Sequence, residues 1–413
     1  MKRDILVSRK DGAVRAAVFE DDRLAEFHVE RQQEIAGSIF LGVVADVVPG
    51  MSCAFVDIGL GRNALLAARD VYVDEEPAAY GRSISSLLKK NDQVIVQARK
   101  GPVGDKGARV TMRISIPGRY CVLLPRDAGR VGVSRKLEDP KERERLREIA
   151  VKALGKKMGL IVRTEAAGID EEVLLEEIKG LVREWANIRR RGRRKKPASL
   201  WRQPDLLERL IRDMLTADTK HLYLDNEKEY REAREVVRQV ARKMLDKVQW
   251  RRSGNLFREF HVGEQLQAAL RPTVKLSSGG TLTVEETEAC ATVDVNTGKF
   301  VGEVDLEDTA LRTNIEAAEE IARQLRLRDI GGIIVIDFID MARVSNRRRL
   351  MKALEDAFKR DKARVRLVHV SPLGLVEMTR KRTGRSLAQE LCETCGTCSG
   401  TGRVMRAEGK ALV

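Results

Sequence analysis

Residues 1–35 alternate apolar and polar positions in short runs such as Ile5-Leu6-Val7 and Ala16-Ala17-Val18-Phe19, a pattern that predicts strands too few to fold alone. From Gly37 to about Ile116, β-branched runs are broken by Pro49-Gly50, Gly59, Gly61 and Gly104. That rhythm predicts a small closed or nearly closed β-barrel of the OB kind. Residues 119–200 start with the strand-like Tyr120-Cys121-Val122-Leu123-Leu124, become charged and helix-rich, and return to a strand at Leu160-Ile161-Val162, so a separate α+β unit is expected. After Pro204, Leu206, Leu207, Leu210, Ile211 and Met214 recur at helical spacing. Leu222-Tyr223-Leu224 then reads as a strand and 227–246 as a helix. This helix, strand, helix unit can supply the surface that the first strands need, giving one domain built from two distant segments. From about 273 to 390, strands and helices alternate as in an α/β layer fold with a largely buried sheet. In the helix predicted over 314–327, Ile315, Ala318, Ile321, Ala322 and Leu325 share one face, which is core.

At 413 residues the chain exceeds the roughly 250–300 residues that one hydrophobic core usually serves, so several compact units are expected. The pattern places boundaries at 1–35 with 204–272, 36–118, 119–203 and 273–390, followed by a cysteine segment 391–402 and a tail 403–413. Lys and Arg outnumber Asp and Glu by 77 to 62, and such an excess draws polyanions by long-range attraction and counterion release. Seven cations fall between Arg189 and Lys196, just before Pro197. Blocks of this kind are either solvated connectors or polyanion contacts, and both readings stay open. The N-terminus runs directly into polar sequence, and no apolar run approaches the roughly 18–20 residues of a membrane span; a cytoplasmic location without a membrane span is expected.

The chemistry sits in two places. In Cys290-Ala-Thr-Val-Asp294-Val-Asn296, alternate strand residues point the same way, so Asp294 and Asn296 share a face. Gly331-Gly332-Ile333-Ile334-Val335-Ile336-Asp337 reads as a strand apolar on both faces with an acid at its end, and Asp340 lies three residues beyond. If the two strands are neighbours, Asp294 and Asp337 meet, and paired carboxylates repel unless a cation or a proton relieves them. Mg²⁺ suits a sparse oxygen set completed by water and phosphate. The competing reading makes these acids caps and surface ion pairs.

The second place is Cys395-Gly-Thr-Cys398-Ser-Gly-Thr-Gly, whose two thiolates can hold one side of a tetrahedral zinc ion. One such pair is half a site, and its simplest completion comes from a second subunit. Cys392 forms an overlapping pair with Cys395, so either pair could serve, and a redox dithiol or an unliganded tail is the alternative. Cys53, Cys121 and Cys290 are isolated in apolar sequence, so a disulfide framework is not expected.

Val293-Asp-Val-Asn-Thr-Gly, Thr313-Asn-Ile-Glu-Ala-Ala, Ile321-Ala-Arg-Gln-Leu-Arg-Leu-Arg-Asp, Gly331-Gly-Ile-Ile-Val-Ile-Asp-Phe-Ile-Asp-Met and Gly374-Leu-Val-Glu-Met-Thr-Arg resemble the catalytic core of the ribonuclease E/G family. The resemblance implies a multidomain α/β and α+β chain with a deoxyribonuclease-I-like catalytic domain over 273–390. It further implies an inserted OB-fold RNA-binding barrel over 36–118, a 5′-phosphate sensor domain over 119–203, and a ribonuclease-H-like domain from 1–35 and 204–272. On that resemblance Asp294 and Asp337 match the magnesium-binding aspartates, Asn296 the asparagine that assists them, and Arg364 a basic residue near that site. Phe55 matches an aromatic that stacks bases, Leu65 stands where a second aromatic is expected, and Lys106 matches a basic residue on the same surface. Arg163 and Thr164, with the backbone at Gly118 and Val122, match a pocket for a 5′-terminal phosphate. Cys395 and Cys398 match a zinc link that joins a homodimer. The small domain that family members carry beyond this link is not expected here, which leaves a dimer as the expected assembly.

By the same resemblance the chain is expected to be a cytoplasmic, magnesium-dependent endoribonuclease. It would cut single-stranded RNA to a 3′-hydroxyl and a 5′-monophosphate, respond to a 5′-monophosphate, and act in ribosomal RNA processing and messenger decay. A non-catalytic RNA-binding scaffold and a metal-dependent deoxyribonuclease are the rivals; aspartate substitution excludes the first if activity is lost, and matched RNA and DNA oligomers separate the second.

Overall fold

Strand Arg3–Lys10 runs antiparallel to Ala13–Glu20 on one side and parallel to Thr219–Leu224 on the other, so residues two hundred positions apart share one sheet. The computed structural model describes residues 2–31, 34–73, 83–102, 106–155, 157–194, 196–252, 255–297, 306–370, 375–400 and 402–404. Gly104, Gly298, Gly374 and most of the tail 403–413 lie outside the described residues. The first sheet has five strands in the order Val248–Trp250, Thr219–Leu224, Arg3–Lys10, Ala13–Glu20, Arg23–Glu30. Helix Leu206–Met214, started by the Asp205 carboxylate accepting from the Glu208 amide, buries all five apolar positions of its stripe against one face of this sheet. The region 227–246 is not one helix. It is α-helical from Glu227 to Val240 and tightens to a 3₁₀ helix over Arg242–Lys247, which turns the chain into strand Val248–Trp250.

The second sheet is a closed five-stranded barrel. Ile39–Val48, Cys53–Asp57, Ala64–Ala67, Arg109–Thr111 and Gln93–Lys100 follow one another, and Ile39–Val48 pairs back onto Gln93–Lys100. Val44, Ala54, Val56, Leu66, Val96 and Val110 fill its interior. Strand Ala198–Trp201 joins this wall instead of the unit that precedes it in sequence. It pairs with Ile39–Leu41, where Cys53–Asp57, whose pairing starts only at Val43, leaves the edge vacant. A third sheet, Val131–Val133, Gly159–Val162, Cys121–Leu124 and Ile116–Pro117, packs with helices Pro140–Leu154 and Glu171–Arg191 around Leu123, Leu146, Leu160, Ile178 and Trp185.

The fourth sheet has six strands in the order Thr273–Lys275, Thr281–Glu286, Cys290–Asn296, Gly332–Asp337, Leu375–Arg380, Val365–Val370. The expectation of a largely buried sheet is corrected here. Only Cys290–Asn296 and Gly332–Asp337 pair in parallel, and the other neighbours are antiparallel. Helices Leu306–Leu327 and Val344–Phe358 cover one face, burying Val293, Ile334, Ile336, Leu325 and Leu354, while the other face is open in this chain, with Ile333 56% exposed. The first of these helices begins before 314, because the charged turn Leu306–Asp308 belongs to it. Among the described residues no helix is long and apolar enough to cross a membrane.

Candidate active site

Burial alternates strictly along Cys290–Asn296: Ala291, Val293 and Val295 point into the helices, and Thr292, Asp294 and Asn296 point out. The neighbouring strand repeats the pattern, with Ile334 and Ile336 inward and Ile333 and Asp337 outward. Asp294 and Asp337 are register partners, so their Cα atoms stand about 4.8 Å apart on the open face. The Asn296 amide donates to Asp294 Oδ2 at 2.6 Å. These three, with Thr297 and Asp340, line one open recess.

The recess is braced from behind. Asn314, fully buried on the inner side of helix Leu306–Leu327, donates from Nδ2 to the Ile339 carbonyl at 2.8 Å and accepts from the Ile339 amide at 3.0 Å. Glu307 accepts from the amides of Ala342 and Arg343 and from Asn346 Nδ2; the Arg343 amide is the main reason its carboxyl lies below the usual range. Together these two side chains fix the loop that leaves Asp337 and carries Asp340. Asn314 was open to detection in the sequence, since it shares the buried stripe of Ala318, Ile321 and Leu325 at spacings of four, seven and eleven, where an amide has to be bonded.

The exposed oxygen donors suit a hard cation that keeps several waters. Two carboxylates and an amide oxygen are too few for an all-protein cage, and among the described residues no group of three or more His, Cys, Asp or Glu is arranged to hold a metal. Mg²⁺, held by one or two carboxylates with substrate phosphate, is the ion this set fits.

Arg364 is not brought to this recess, and that expectation is corrected. It precedes Val365, which pairs with Arg380, which in turn pairs with Gly332. Asp337 is five residues further along the same strand, about 17 Å away. Strand direction, which sequence proximity does not reveal, puts Arg364 at the opposite end of the sheet. It lies two residues from Lys362, whose ammonium donates to the Asp213 carbonyl.

Asp213 also reaches the second group of candidate residues. Arg163 Nη1 donates to the Gly118 carbonyl at 2.9 Å and to Asp213 Oδ1 at 2.6 Å, and Thr164 Oγ1 donates to Ser134 Oγ at 3.0 Å. Val122 is half-buried on the adjacent strand and pairs with Pro117 and Ile161. Burial pushes the Asp213 carboxyl up, but the guanidiniums of Arg212 and Arg163 outweigh it and hold it below the usual range. The Arg163 fork therefore already rests on an anion. Glu177 has a matching part: its carboxylate accepts from the amides of Arg119, Tyr120 and Cys121 at 3.0, 2.8 and 2.9 Å. Neither Asp213 nor Glu177 stands out in the sequence, because each meets its partners only through tertiary contact.

On the barrel, Phe55 is half-buried and points away from the interior, between Cys53 and Asp57 on the outer face. Leu65 is its cross-strand partner, and Lys106 is exposed beside the loop that ends at Asn63. Cys392 and Cys395 are exposed and Cys398 is half-buried. Hydrogen bonds from the Cys398 and Thr397 amides lower the Cys395 thiol, the backbone setting in which a thiolate is stabilised.

A family model described as the ribonuclease E/G family matches residues 115–383. The chain is 40% identical to ribonuclease G of Salmonella typhimurium strain SL1344 over 99% of its own length and 86% of that relative. To ribonuclease G of Escherichia coli K12 it is 39% identical over 99% of this chain and 86% of the relative. With ribonuclease E of Nostoc sp. PCC 7120 the identity is 38%, over 96% of this chain and 58% of that one.

Proposed function

The chain belongs to the ribonuclease E/G family and is an endoribonuclease, and from that premise we propose that it hydrolyses single-stranded RNA at Asp294 and Asp337 with Mg²⁺ bound there. The observation that carries this reading is the register pairing of two outward carboxylates on the open face of the sheet. When bound, the ion would neutralise charge developing on a phosphodiester and lower the pKa of a coordinated water. Asp294 and Asp337 would hold it, and Asn296 fixes the Asp294 carboxylate through its 2.6 Å hydrogen bond. Asn314 and Glu307 keep the Asp337–Asp340 loop from drifting, and an ångström of misplacement at such a site costs about 10²-fold in rate. The products are a 3′-hydroxyl and a 5′-monophosphate. In this reading the catalytic unit is deoxyribonuclease-I-like, the sheet built from residues 3–30 and 219–250 is ribonuclease-H-like, and the enzyme acts in the cytoplasm on ribosomal precursors and messengers.

The barrel holds the RNA: Phe55 offers a ring to a base, Leu65 adds apolar contact and Lys106 a charge. A 5′-monophosphate binds at Arg163 and Thr164, with the Gly118 and Val122 backbone completing the pocket. The fork now rests on Asp213 at 2.6 Å, with Glu165 at 3.7 Å from its Nε, and a phosphate can take Arg163 over through paired charge-assisted bonds. The deciding assay follows cleavage of matched RNA and DNA oligomers, with Mg²⁺ or with chelator, on 5′-monophosphate and 5′-triphosphate ends. RNA alone should be cut, only with Mg²⁺, and faster from the monophosphate. Cleavage of DNA at the same rate, or undiminished cleavage in chelator, would remove the reading. Arg163→Ala should equalise the two ends by slowing the monophosphorylated substrate alone, and equal loss on both would deny a sensor.

Zinc at Cys395 and Cys398, completed by the same pair of a second copy, would join two chains into a homodimer. Replacing both cysteines with serine should bring zinc content to near zero and halve the mass in sedimentation. Stoichiometric zinc in that variant would move the site elsewhere, Cys392 being the first place to look.

A further inference from the structure

The basic run is not a slack connector. Arg189, Arg190 and Arg191 form the last turn of helix Glu171–Arg191, and Gly192 and Arg194 beyond it are held against the barrel. The Arg194 carbonyl accepts from Gln93 Nε2 at 3.1 Å, and Arg191 Nη1 donates to the Leu200 carbonyl at 3.2 Å. Gly192 sits so tightly on Ile95 that a Cβ there would come within 2.9 Å of its Cδ1. Arg189, Arg190, Arg191, Arg193, Arg194 and Lys196 are all exposed. Among the described residues no ion pair to a carboxylate is found for these six, and Arg190 Nη2 donates to the neutral Asn187 Oδ1 at 3.2 Å. A helix terminus accounts for one or two cations in its final turn, and Arg193, Arg194 and Lys196 lie past it.

The run also continues the outer face that carries Phe55. Asp57, two residues along the strand from Phe55, is opposite Val43, and Val43 is opposite Gln93, which holds Arg194. Two strand spacings and one two-residue repeat separate Phe55 from Gln93, about 12 Å. On the other side of Phe55, Leu65 leads to Arg109 and to Lys106 near Asn63. The aromatic thus lies between two cationic stations, within the span of about 4–16 nucleotides that one such barrel takes. The acids on this path are Asp57, Asp46 opposite Phe55, and Asp92 beside Gln93; each has one oxygen committed to a backbone amide, of Gly59 at 2.8 Å, Val47 at 3.0 Å and Lys89 at 2.7 Å.

We propose that the run 189–196 is a second RNA-contact surface that receives the substrate backbone as it leaves the barrel, a role that rests on the endoribonuclease reading. RNA is favoured over an acidic protein because the run has no apolar side chain to serve as the buried anchor of a protein interface, and it is collinear with a base-stacking ring.

The test uses the full chain in chelator, with a labelled 20-nucleotide oligouridylate titrated by fluorescence anisotropy at stepped salt concentrations. Combining Arg189→Gln, Arg190→Gln, Arg193→Gln and Arg194→Gln should lower the slope of log affinity against log salt by about 3, near 0.7 per lost phosphate contact, and weaken binding at least about ten-fold. The same four positions as Lys should keep the slope, since counterion release needs only the charge. An unchanged slope in the Gln variant, or equal loss with Lys, overturns the proposal, the first leaving the run to an acidic protein. If the unaltered chain binds no RNA at all, the endoribonuclease reading fails as well; binding with an unchanged slope removes only the part assigned to the run.

Discussion

Alanine at Asp337, or at Asp294, should lower the cleavage rate by about 10³-fold while leaving RNA affinity in chelator at or slightly above its original value. A loss of that size corresponds to about 4 kcal/mol of transition-state stabilisation, the range expected when a preorganised charge is taken from a reacting centre. Binding should not suffer, because these carboxylates face the same open surface as the phosphates they would repel. Asp337→Asn makes the test sharper. It keeps the shape of the side chain and removes the charge, so a rate as low as that of the alanine variant assigns the effect to the carboxylate and not to packing. Single-turnover rates at saturating enzyme, measured alongside anisotropy, separate the two quantities. Turnover within a few-fold of the original in either variant would move the reaction away from this pair, as would a loss in affinity that accounts for the whole decrease.

Within this recess the sequence was most informative where a local period decided the outcome. Alternation along Cys290–Asn296 places Asp294 and Asn296 on one face, and the structure keeps that face exposed. What local periodicity cannot supply is register. Asp337 meets Asp294 because the two strands pair in parallel at that row, and Arg364 misses it because its strand enters from the far end. The apolar run Ile333–Ile336 suggested burial on both faces, yet Ile333 lies on the open side with helices only behind it; a run of β-branched residues satisfies the strand without stating how many layers cover it. The barrel was legible from its glycine rhythm. Strand Ala198–Trp201 was not, since four residues far along the chain fill an edge that only the folded wall defines. Asp213 and Glu177 escaped for the same reason: a carboxylate among many on charged helices gains a role only from the guanidinium or amides that tertiary packing brings to it.

Asp361→Ala should destabilise the chain by about 3–5 kcal/mol, the usual cost of leaving one member of a buried ion pair uncompensated. Asp361 is 1% and Arg380 5% exposed. Asp361 accepts from Arg380 Nε at 2.7 Å and from the Ala363 amide at 2.8 Å. Arg380 Nη1 in turn donates to Asp329 Oδ1 and to the Ile330 carbonyl, both at 2.9 Å. One guanidinium therefore fastens the turn after helix Val344–Phe358 to strand Leu375–Arg380 and to the residues leading into Gly332–Asp337. Asp329 is partly exposed and cannot compensate the buried cation alone, so the loss falls on the whole sheet. Denaturant unfolding followed by a probe in this sheet should show the midpoint shifted down in Asp361→Ala, while Asp361→Leu combined with Arg380→Met should recover most of the stability, because an apolar pair of similar volume leaves no charge to solvate. The pair lies at the end of the sheet remote from Asp294 and Asp337, so turnover per folded molecule should hold in both variants. A midpoint unmoved by Asp361→Ala would mean that water or Asp329 solvates Arg380 well enough for the pair to carry little of the fold's stability.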